Sequence, residues 1–508
     1  MCDSAVLTPV HSSPKTMTML IDSYRSVSRV ALTLTLASAT SGIIAALTAQ
    51  GPVTSPLPVE YQRLARAVIT EAVNTNTTAS TGSTTALAMK LQTRLLAAGY
   101  TASDIHMVGP DKKNLNLIVR LRGRASGKKP ILLAAHLDVV EANRADWTAD
   151  PFTLRAENGF FLGRGASDDK SGVTVLITNL IRWKREQWTP DRDVIAYFSA
   201  DEESDAAKGI VWVLAHARNL IDAEYCLNTD GSGVEIANGK LRAFGLDASE
   251  KVFITFRLEA TNPGGHSSRP RPDNAIYQLA HALTKLEAFT FPVKLNEVSR
   301  TQLERSAALQ AADTAADMRA IANGYANGAP DSVAQAAMVR LSRDPSFNAL
   351  FRTTCVATML DGGHAENALP QRAGATVNCR MLPNDPPAEV ERTIKNIVGD
   401  SIRVRVSYAP VPSAPSPLRA DVMSLLDQLA SRYFPGAPVI PSMALGASDG
   451  LYLRNVGIPT YTLSAIAGVD GESNEHGLNE KVREKSVYDA VAFWNDMVRA
   501  LAGGAVNR

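Results

Sequence analysis

At residues 194–203 the chain reads VIAYFSADEE, an apolar and aromatic run followed directly by three consecutive acids. The run is rich in side chains that favour strands, and it has the length of one buried strand. The acids then stand side by side where that strand ends. Such an acidic turn is most often a solvated loop. Adjacent carboxylates repel each other, however, and bound cations remove that repulsion, so the segment also predicts a metal site at the end of the strand.

Short strand-like runs recur on both sides of this segment, and helical patterns separate some of them. The strand-like runs are 115–121, 131–135 and 224–227, and the helical patterns are 173–185 and 209–217. This alternation predicts an α/β domain with a largely parallel sheet. Because open α/β sheets bind ligands at the carboxyl ends of their strands, the residues that follow these strands are candidates for one shared site.

Four further stretches place metal-binding residue types at such positions. They read AHLDV at 135–139, GRGASDDK at 163–170, NTDG at 228–231 and EHGLNE at 475–480. With the acids at 201–203, they supply enough imidazoles and carboxylates to hold two divalent ions. One carboxylate could be shared by both ions, and another could stay free to transfer protons. A lone His-x-Asp is usually structural, but here Asp138 can accept a hydrogen bond from the imidazole nitrogen of His136 that does not bind metal.

The sequence pattern changes near Ser249 and changes back after Ser416. Between them, strand-like runs at 252–258, 375–382 and 402–408 accompany helical patterns at 274–288, 302–322 and 388–398. We expect a separate α+β domain inserted into the first. The predicted division is a catalytic domain in two parts, residues 50–247 and 413–508, with the inserted domain at 248–412.

Composition excludes some partners and leaves the cellular location open. The chain has 508 residues, 45% of them hydrophobic and 20% charged, and a formal net charge of +1, so nucleic acid is not an expected partner. Arg25 and Arg29 precede an apolar segment of small residues that reaches Ala49. Residues 1–49 are therefore predicted to be a secretory signal for a periplasmic or secreted protein. The alternative is an uncleaved anchor that holds the enzyme on a membrane, outside the cytoplasm.

Three cysteines, Cys226, Cys355 and Cys379, follow the predicted leader. Three scattered cysteines do not make a disulfide framework, so all three are expected to be packing residues.

Taken in this order, the motifs resemble the di-zinc exopeptidase and amidohydrolase family of glutamate carboxypeptidase, carnosinase, aminoacylase and carboxypeptidase S. Residues 353–357 and 362–370 are most similar to the carboxypeptidase S branch. The resemblance implies a zinc-exopeptidase-like α/β catalytic domain with a central, mostly parallel sheet, plus an inserted α+β lid and dimerisation domain. It also implies two divalent metal ions, zinc by default, with cobalt or manganese as alternatives.

The resemblance assigns roles to individual residues. The implied metal ligands are His136, Asp168, Glu203, Asp230 and His476. Asp168 would bridge the ions, with His136 and Asp230 on one ion and Glu203 and His476 on the other. Glu202 would be the general base, Asp138 would orient His136, and the peptide between Asp168 and Asp169 would be cis. The implied lid and substrate residues are His266 for the oxyanion, often in the partner subunit's site, Arg380 for a substrate carboxylate, and Asn367 and Ser448 for substrate contact or simply for turns.

These roles predict hydrolysis of an amide bond beside a free carboxylate. A carboxypeptidase or dipeptidase acting on small peptides is the first interpretation. An N-acyl-amino-acid amidohydrolase of the aminoacylase or desuccinylase type is the alternative, because the scissile bond is the same. Two further classes stay open: a non-catalytic metal-binding relative, and an interaction protein whose lid serves only to form a homodimer.

Overall fold

Two β-sheets organise the chain, and helices pack against both. The computed structural model describes residues 56–506 except 125–126, 205 and 326–329. The predicted leader at 1–49 lies outside these residues. Within the described ranges, no helix combines the length and the apolar character that crossing a membrane requires.

The α-helices follow in chain order. They are α1 (Val59–Val73), α2 (Thr84–Ala97), α3 (Lys170–Arg185), α4 (Ile210–His216), α5 (Ala275–Ala288), α6 (Glu297–Ser306), α7 (Ala312–Gly324), α8 (Ser332–Leu341), α9 (Pro345–Phe351), α10 (Pro387–Val398), α11 (Ala420–Tyr433), α12 (Gly450–Asn455) and α13 (Glu484–Ala502).

The strands are named in the same way. They are β1 (Ile105–Val108), β2 (Asn116–Leu121), β3 (Ile131–His136), β4 (Arg155–Glu157), β5 (Phe160–Leu162), β6 (Trp188–Thr189), β7 (Val194–Ser199), β8 (Tyr225–Asn228), β9 (Val234–Ala237), β10 (Lys240–Glu250), β11 (Val252–Thr261), β12 (Gly265–His266), β13 (Thr354–Gly362), β14 (Ala368–Leu369), β15 (Arg372–Met381), β16 (Ile402–Tyr408), β17 (Val439–Ala444), β18 (Thr460–Thr462), β19 (Ala467–Gly468), β20 (Lys481–Arg483) and β21 (Ala505–Val506).

The larger sheet has the order β1-β2-β7-β3-β8-β18-β10-β9-β19, with β17 also paired to β10. Its centre, β7-β3-β8-β18, is parallel. The register sets His136 opposite Ser199 and Ala134 opposite Asn228, so neighbouring strands end at one edge. The predicted α/β fold with a mostly parallel central sheet is confirmed.

Alternate residues of the central strands pack on opposite faces of this sheet. Leu133 and Phe198 belong to the core that contains Trp183 of α3. Leu132 and Ile195 belong to a second core on the other face. Both faces of the sheet are therefore buried, which explains why these strands are continuously apolar instead of alternating between apolar and polar residues.

The inserted region forms an antiparallel sheet in the order β13-β15-β11-β16. The helices α5 and α10 cover one face, where Phe256, Val377 and Ile394 are buried in one core. The opposite face carries Arg380, whose guanidinium carbon lies 4.8 Å from the ring centre of Phe253. This is the expected α+β insert; its exact boundaries, 248 and 412, stay predictions.

The alanine-rich stretch 302–322 is not one helix, in contrast to its helical pattern. The first helix ends at Ser306, a 3₁₀ turn covers Ala307–Leu309, and the second helix begins at Ala312. Leu303 before the break and Met318 after it pack into one core. Tertiary packing therefore sets the break, and no Gly or Pro marks it in the sequence.

The prediction that all three cysteines are packing residues is wrong for two of them. Cys355 and Cys379 form a disulfide, 24 residues apart in sequence. They face each other in the β13–β15 ladder, where their Cα atoms are 4.0 Å apart. Only the strand register brings them together, so their spacing alone could not reveal the pair. Cys226 is a buried free thiol, as expected of a packing residue.

Candidate metal centre

Four of the predicted ligands come from segments at one edge of the central sheet. His136 is the last residue of β3, Glu203 follows β7 and Asp230 follows β8. Asp168 lies in the loop that enters α3, while His476 comes from the distant loop before β20. Because the parallel strands end at the same edge, residues far apart in sequence meet there.

The side chains of these residues converge on Asp168. The Nε2 atom of His136 lies 2.9 Å from Asp168 Oδ1. The Nε2 atom of His476 lies 3.0 Å from Asp168 Oδ2 and 3.0 Å from Glu203 Oε2. One carboxylate thus stands between two imidazoles, the arrangement expected of a bridging ligand.

Two overlapping groups of donors could each hold an ion. Potential ligand atoms of His136, Asp168 and Glu203 lie within 4.8 Å of one another, and so do those of His136, Glu202 and Asp230. All five predicted ligands are therefore brought together. Glu202 is close enough to be a sixth donor rather than a base, so geometry alone does not fix its role.

The acids of the site perturb one another strongly. Burial and the nearby carboxylate of Asp230 raise the pKa of Glu202 well above its usual value. Burial and the charge of Asp168 do the same to the pKa of Asp230. Hydrogen bonds to Asp168 and Glu203 raise the pKa of His476 to about 10. The site thus has a strongly negative electrostatic potential, a property that suits bound cations.

Asp138 supports the site through three hydrogen bonds. Its backbone carbonyl lies 3.0 Å from His136 Nδ1, within hydrogen-bond distance, whereas its carboxylate is 3.6 Å away. The carboxylate instead accepts the backbone N–H groups of Glu202 at 3.1 Å and Glu203 at 3.0 Å. Asp138 therefore fixes both the imidazole and the acidic turn.

The peptide between Asp168 and Asp169 is cis, as the resemblance implies. Asp169 begins α3 by accepting the backbone N–H of Gly172 at 3.2 Å. Its other oxygen accepts the hydroxyl of Thr229 at 2.8 Å. Burial raises the pKa of this carboxyl to about 7. Asp169 thereby holds the loop that presents Asp168.

A buried ion pair that the sequence analysis missed ties two ligand loops together. Glu480 accepts hydrogen bonds from the backbone N–H groups of Gly165, Ser167 and Asp168 at 2.8–3.0 Å. It also binds Arg164 at 2.7 Å. Arg164 in turn donates to the carbonyl of His476 at 3.2 Å. The only sequence signal was the position of both residues inside ligand-bearing stretches.

The predicted substrate residues lie in the inserted region, except for Ser448, which lies in the loop between β17 and α12. His266 and Asn367 lie together at the β12–β14 ladder, where the carbonyl of Asn367 accepts the N–H of Ser267 at 3.0 Å. The imidazole of His266 bonds to Ser268, and among the described residues no hydrogen bond or ion pair joins it to the predicted metal ligands. Ser448 is buried and donates its hydroxyl to Glu250 at 2.8 Å, so that hydroxyl already has a partner.

A cavity of about 1160 Å³ opens beside Asp168 and Asp230. Its walls include the loop after β8, the loop before β20 and part of the inserted helices. A substrate that reached the clustered carboxylates could therefore extend well beyond them.

Imidazoles and carboxylates that cluster at the carboxyl edge of an α/β sheet are typical of metal-dependent hydrolases. Residues 132–500 match Peptidase family M20/M25/M40, and the chain belongs to this metallopeptidase family. The expected family resemblance is confirmed.

Similar proteins span both substrate classes. The chain is 29% identical over 383 residues to the N-fatty-acyl-amino acid synthase/hydrolase PM20D1 of Mus musculus, covering 73% of this chain and 74% of that protein. It is 25% identical to the probable carboxypeptidase S-like 2 of Dictyostelium discoideum, covering 76% and 74%. The fold matches the M20 family metallo-carboxypeptidase Sso-CP2 from Sulfolobus solfataricus with a TM-score of 0.62 and 18% identity, covering 86% and 98%.

Proposed function

We propose that the chain hydrolyses an amide bond beside a free carboxylate, using two divalent metal ions. The observation that carries the proposal is the convergence of His136 and His476 on the carboxylate of Asp168. Water adds to the amide carbonyl, the C–N bond breaks, and the products are a carboxylic acid and an amine.

The residues present fit a pair of metal ions. Glu203 has one buried carboxylate oxygen, Oε1, without a hydrogen-bond partner among the described residues. An orphaned buried oxygen is costly, and a cation would satisfy it. His136, Asp168, Glu203, Asp230 and His476 would hold the ions, with zinc as our first choice and cobalt or manganese as alternatives. When bound, such ions polarise a carbonyl and make a nearby water more acidic.

Glu202 is the proposed proton carrier. Its burial and its acidic neighbours raise its pKa, which makes the ionised carboxylate a stronger proton acceptor. It takes the proton from the attacking water and then delivers a proton to the leaving nitrogen. Asp138 holds the backbone of Glu202 in place. The oxyanion that develops on the carbonyl needs a further donor, and His266 is proposed for that role, supplied by a second copy of the chain.

Arg380 is proposed to bind the substrate carboxylate. Arg380 is half-buried on the face of the β13-β15-β11-β16 sheet opposite α5 and α10, and this burial lowers the pKa of its guanidinium. No described carboxylate forms an ion pair with it. A guanidinium in this setting suits a carboxylate ligand. Asn367 and Ser448 are proposed as supporting contacts, although the hydroxyl of Ser448 would have to leave Glu250.

Replacing Arg380 by Ala should lower kcat/KM for a carboxylate substrate by roughly 10–150-fold, because hydrogen bonds to charged groups contribute about 1.5–3 kcal/mol. Turnover of one N-acyl amino acid and of its carboxamide analogue would be compared. The carboxamide should lose much less. Arg392→Ala, which removes an exposed arginine of α10, is the matched control and should stay within about twofold. Equal losses on both substrates would contradict the role.

Two substrate classes share this chemistry. A small peptide with a free C-terminus is the first, in keeping with the carboxypeptidase-like relative. An N-acyl amino acid is the second, in keeping with the acyl-amino-acid relative. The proposal fails if the protein with both ions bound turns over neither class. That result would favour a non-catalytic metal-binding relative.

A homodimer through the lid is also proposed. The strand β13 is at an edge of the lid sheet and pairs only with β15 among the described residues. Val356, Met359 and Leu360 on this strand are 58–68% exposed, which is unusual for apolar side chains grouped on one edge. Met359→Glu should therefore shift the protein from dimer to monomer in analytical ultracentrifugation, and a wild-type protein that sediments as a monomer would contradict the proposal.

Export through residues 1–49 remains a proposal as well, with membrane attachment as the alternative if that segment is not cleaved. The N-terminal residue of the protein made in cells would distinguish the two.

A further inference from the structure

A single residue, Lys251, connects the central sheet to the lid sheet (β13-β15-β11-β16). The strand β10 ends at Glu250 and β11 begins at Val252. Lys251 is 2% exposed, and among the described residues no carboxylate forms an ion pair with its ammonium group. Burial lowers the pKa of Lys251 to about 7. Because burying an unpaired ammonium group costs free energy, the contacts that this group makes require an explanation.

The backbone and the side chain of Lys251 are bound to different parts of the chain. Its backbone N–H donates at 3.0 Å to the carbonyl of Ala444, at the end of β17 in the central sheet. Its ammonium group donates to two carbonyls of the inserted region, that of Arg352 at 2.5 Å and that of Arg380 at 3.2 Å. Lys251 therefore ties the proposed carboxylate-binding residue to the sheet that carries the metal centre.

The catalytic side of this connection is held by a buried ion pair. Glu250 is 3% exposed and lies 2.8 Å from a guanidinium nitrogen of Arg454. The Nε atom of Arg454 donates at 2.9 Å to the hydroxyl of Ser413, in the segment by which the chain returns from the lid. Glu250 also accepts the backbone N–H of Ser448 at 3.1 Å. Both passages of the chain between the two sheets are thus attached to one cluster.

The side chain of Arg380 has a further support within the lid. Its guanidinium carbon lies 4.8 Å from the ring centre of Phe253, the residue opposite it in the β11–β15 ladder. The ring favours one direction of the guanidinium, and Lys251 holds the backbone from which the side chain extends. Since a displacement of about 1 Å can change a rate by about 10²-fold, the position of that backbone matters for holding a substrate.

We propose that Lys251 is a positioning residue, which holds the backbone of Arg380 where its guanidinium can bind the substrate carboxylate while the scissile carbonyl lies at the metal centre. This inference rests on the proposed amide hydrolysis and on the proposed role of Arg380. In this role Lys251 acts only through Arg380. A lysine that merely stabilised the fold would affect every substrate alike.

The test uses N-acetyl-phenylalanine or alanyl-phenylalanine, whichever the full-length metal-loaded enzyme hydrolyses faster, and the matching C-terminal carboxamide. Met has nearly the length of Lys but no N–H to donate. Lys251→Met should lower kcat/KM about tenfold for the carboxylate substrate and less than about twofold for the carboxamide. Lys251→Met combined with Arg380→Ala should lose no more than Arg380→Ala alone, because residues that act as one unit are not additive.

Lys285→Met, which removes an exposed lysine of α5, is the matched control and should leave kcat/KM for both substrates unchanged. Lys251→Gln keeps one N–H donor and is the second variant in case the first does not fold; it should show the same selectivity with a smaller loss. Equal losses on both substrates, or losses that add in the double variant, would overturn the positioning role but leave the proposed hydrolysis intact. A wild-type enzyme that hydrolyses neither carboxylate substrate would overturn both.

Discussion

Glu202→Gln should lower kcat by about 10²–10⁴ while the protein keeps its full metal content, because that range is typical of a lost general acid-base group. Gln has nearly the same shape as Glu, so the backbone N–H contact of residue 202 with Asp138 can persist. The variant cannot accept the proton of the attacking water. Rates at saturating substrate and the metal content of the same sample would be measured together.

The paired measurement separates the two roles that geometry leaves open for Glu202. If Glu202 were mainly a ligand beside His136 and Asp230, the variant would lose metal along with activity. Glu287→Gln, an exposed acid on α5, is the control for removing one negative charge and should change kcat little. Near-normal turnover by Glu202→Gln would show that the proton carrier is another group.

Glu480→Ala should lower the free energy of unfolding by about 3–5 kcal/mol, the usual cost of removing one partner of a buried ion pair. The side chain of Glu480 is 1% exposed, and that of Arg164 is 3% exposed. The substitution leaves the Arg164 charge and three backbone N–H groups without their acceptor. Denaturant unfolding of the metal-free protein would measure the loss.

The same variant should also bind metal more weakly, because Glu480 and Arg164 join the Asp168 loop to the His476 loop. Glu157→Ala, which breaks the exposed pair with Arg155, is the control and should cost about 0–1 kcal/mol. A loss of stability for Glu480→Ala no larger than that of this control would mean that the buried pair does not hold the loops.

The convergence of the candidate ligands could be predicted from the sequence because one simple rule governs most of it. His136, Glu203 and Asp230 each lie at or just after the carboxyl end of a parallel strand, and such ends share an edge of the sheet. His476 has no such neighbour in the sequence, and its assignment depended on the family resemblance.

The features that the sequence did not predict depend on long-range packing. The Cys355–Cys379 disulfide requires the register of β13 on β15, and the role of Glu480 requires two loops to meet. The break after Ser306 follows from a shared core rather than from a local signal. Contacts of this kind are set by tertiary structure, which local patterns do not encode.

The metal content of the zinc-loaded protein tests the central claim most directly. After excess zinc is removed by gel filtration, inductively coupled plasma mass spectrometry should find two zinc ions per wild-type chain. Asp168→Ala, which removes the carboxylate between His136 and His476, should bind fewer. A wild-type chain that retains one ion or none under saturating zinc would contradict the two-metal account.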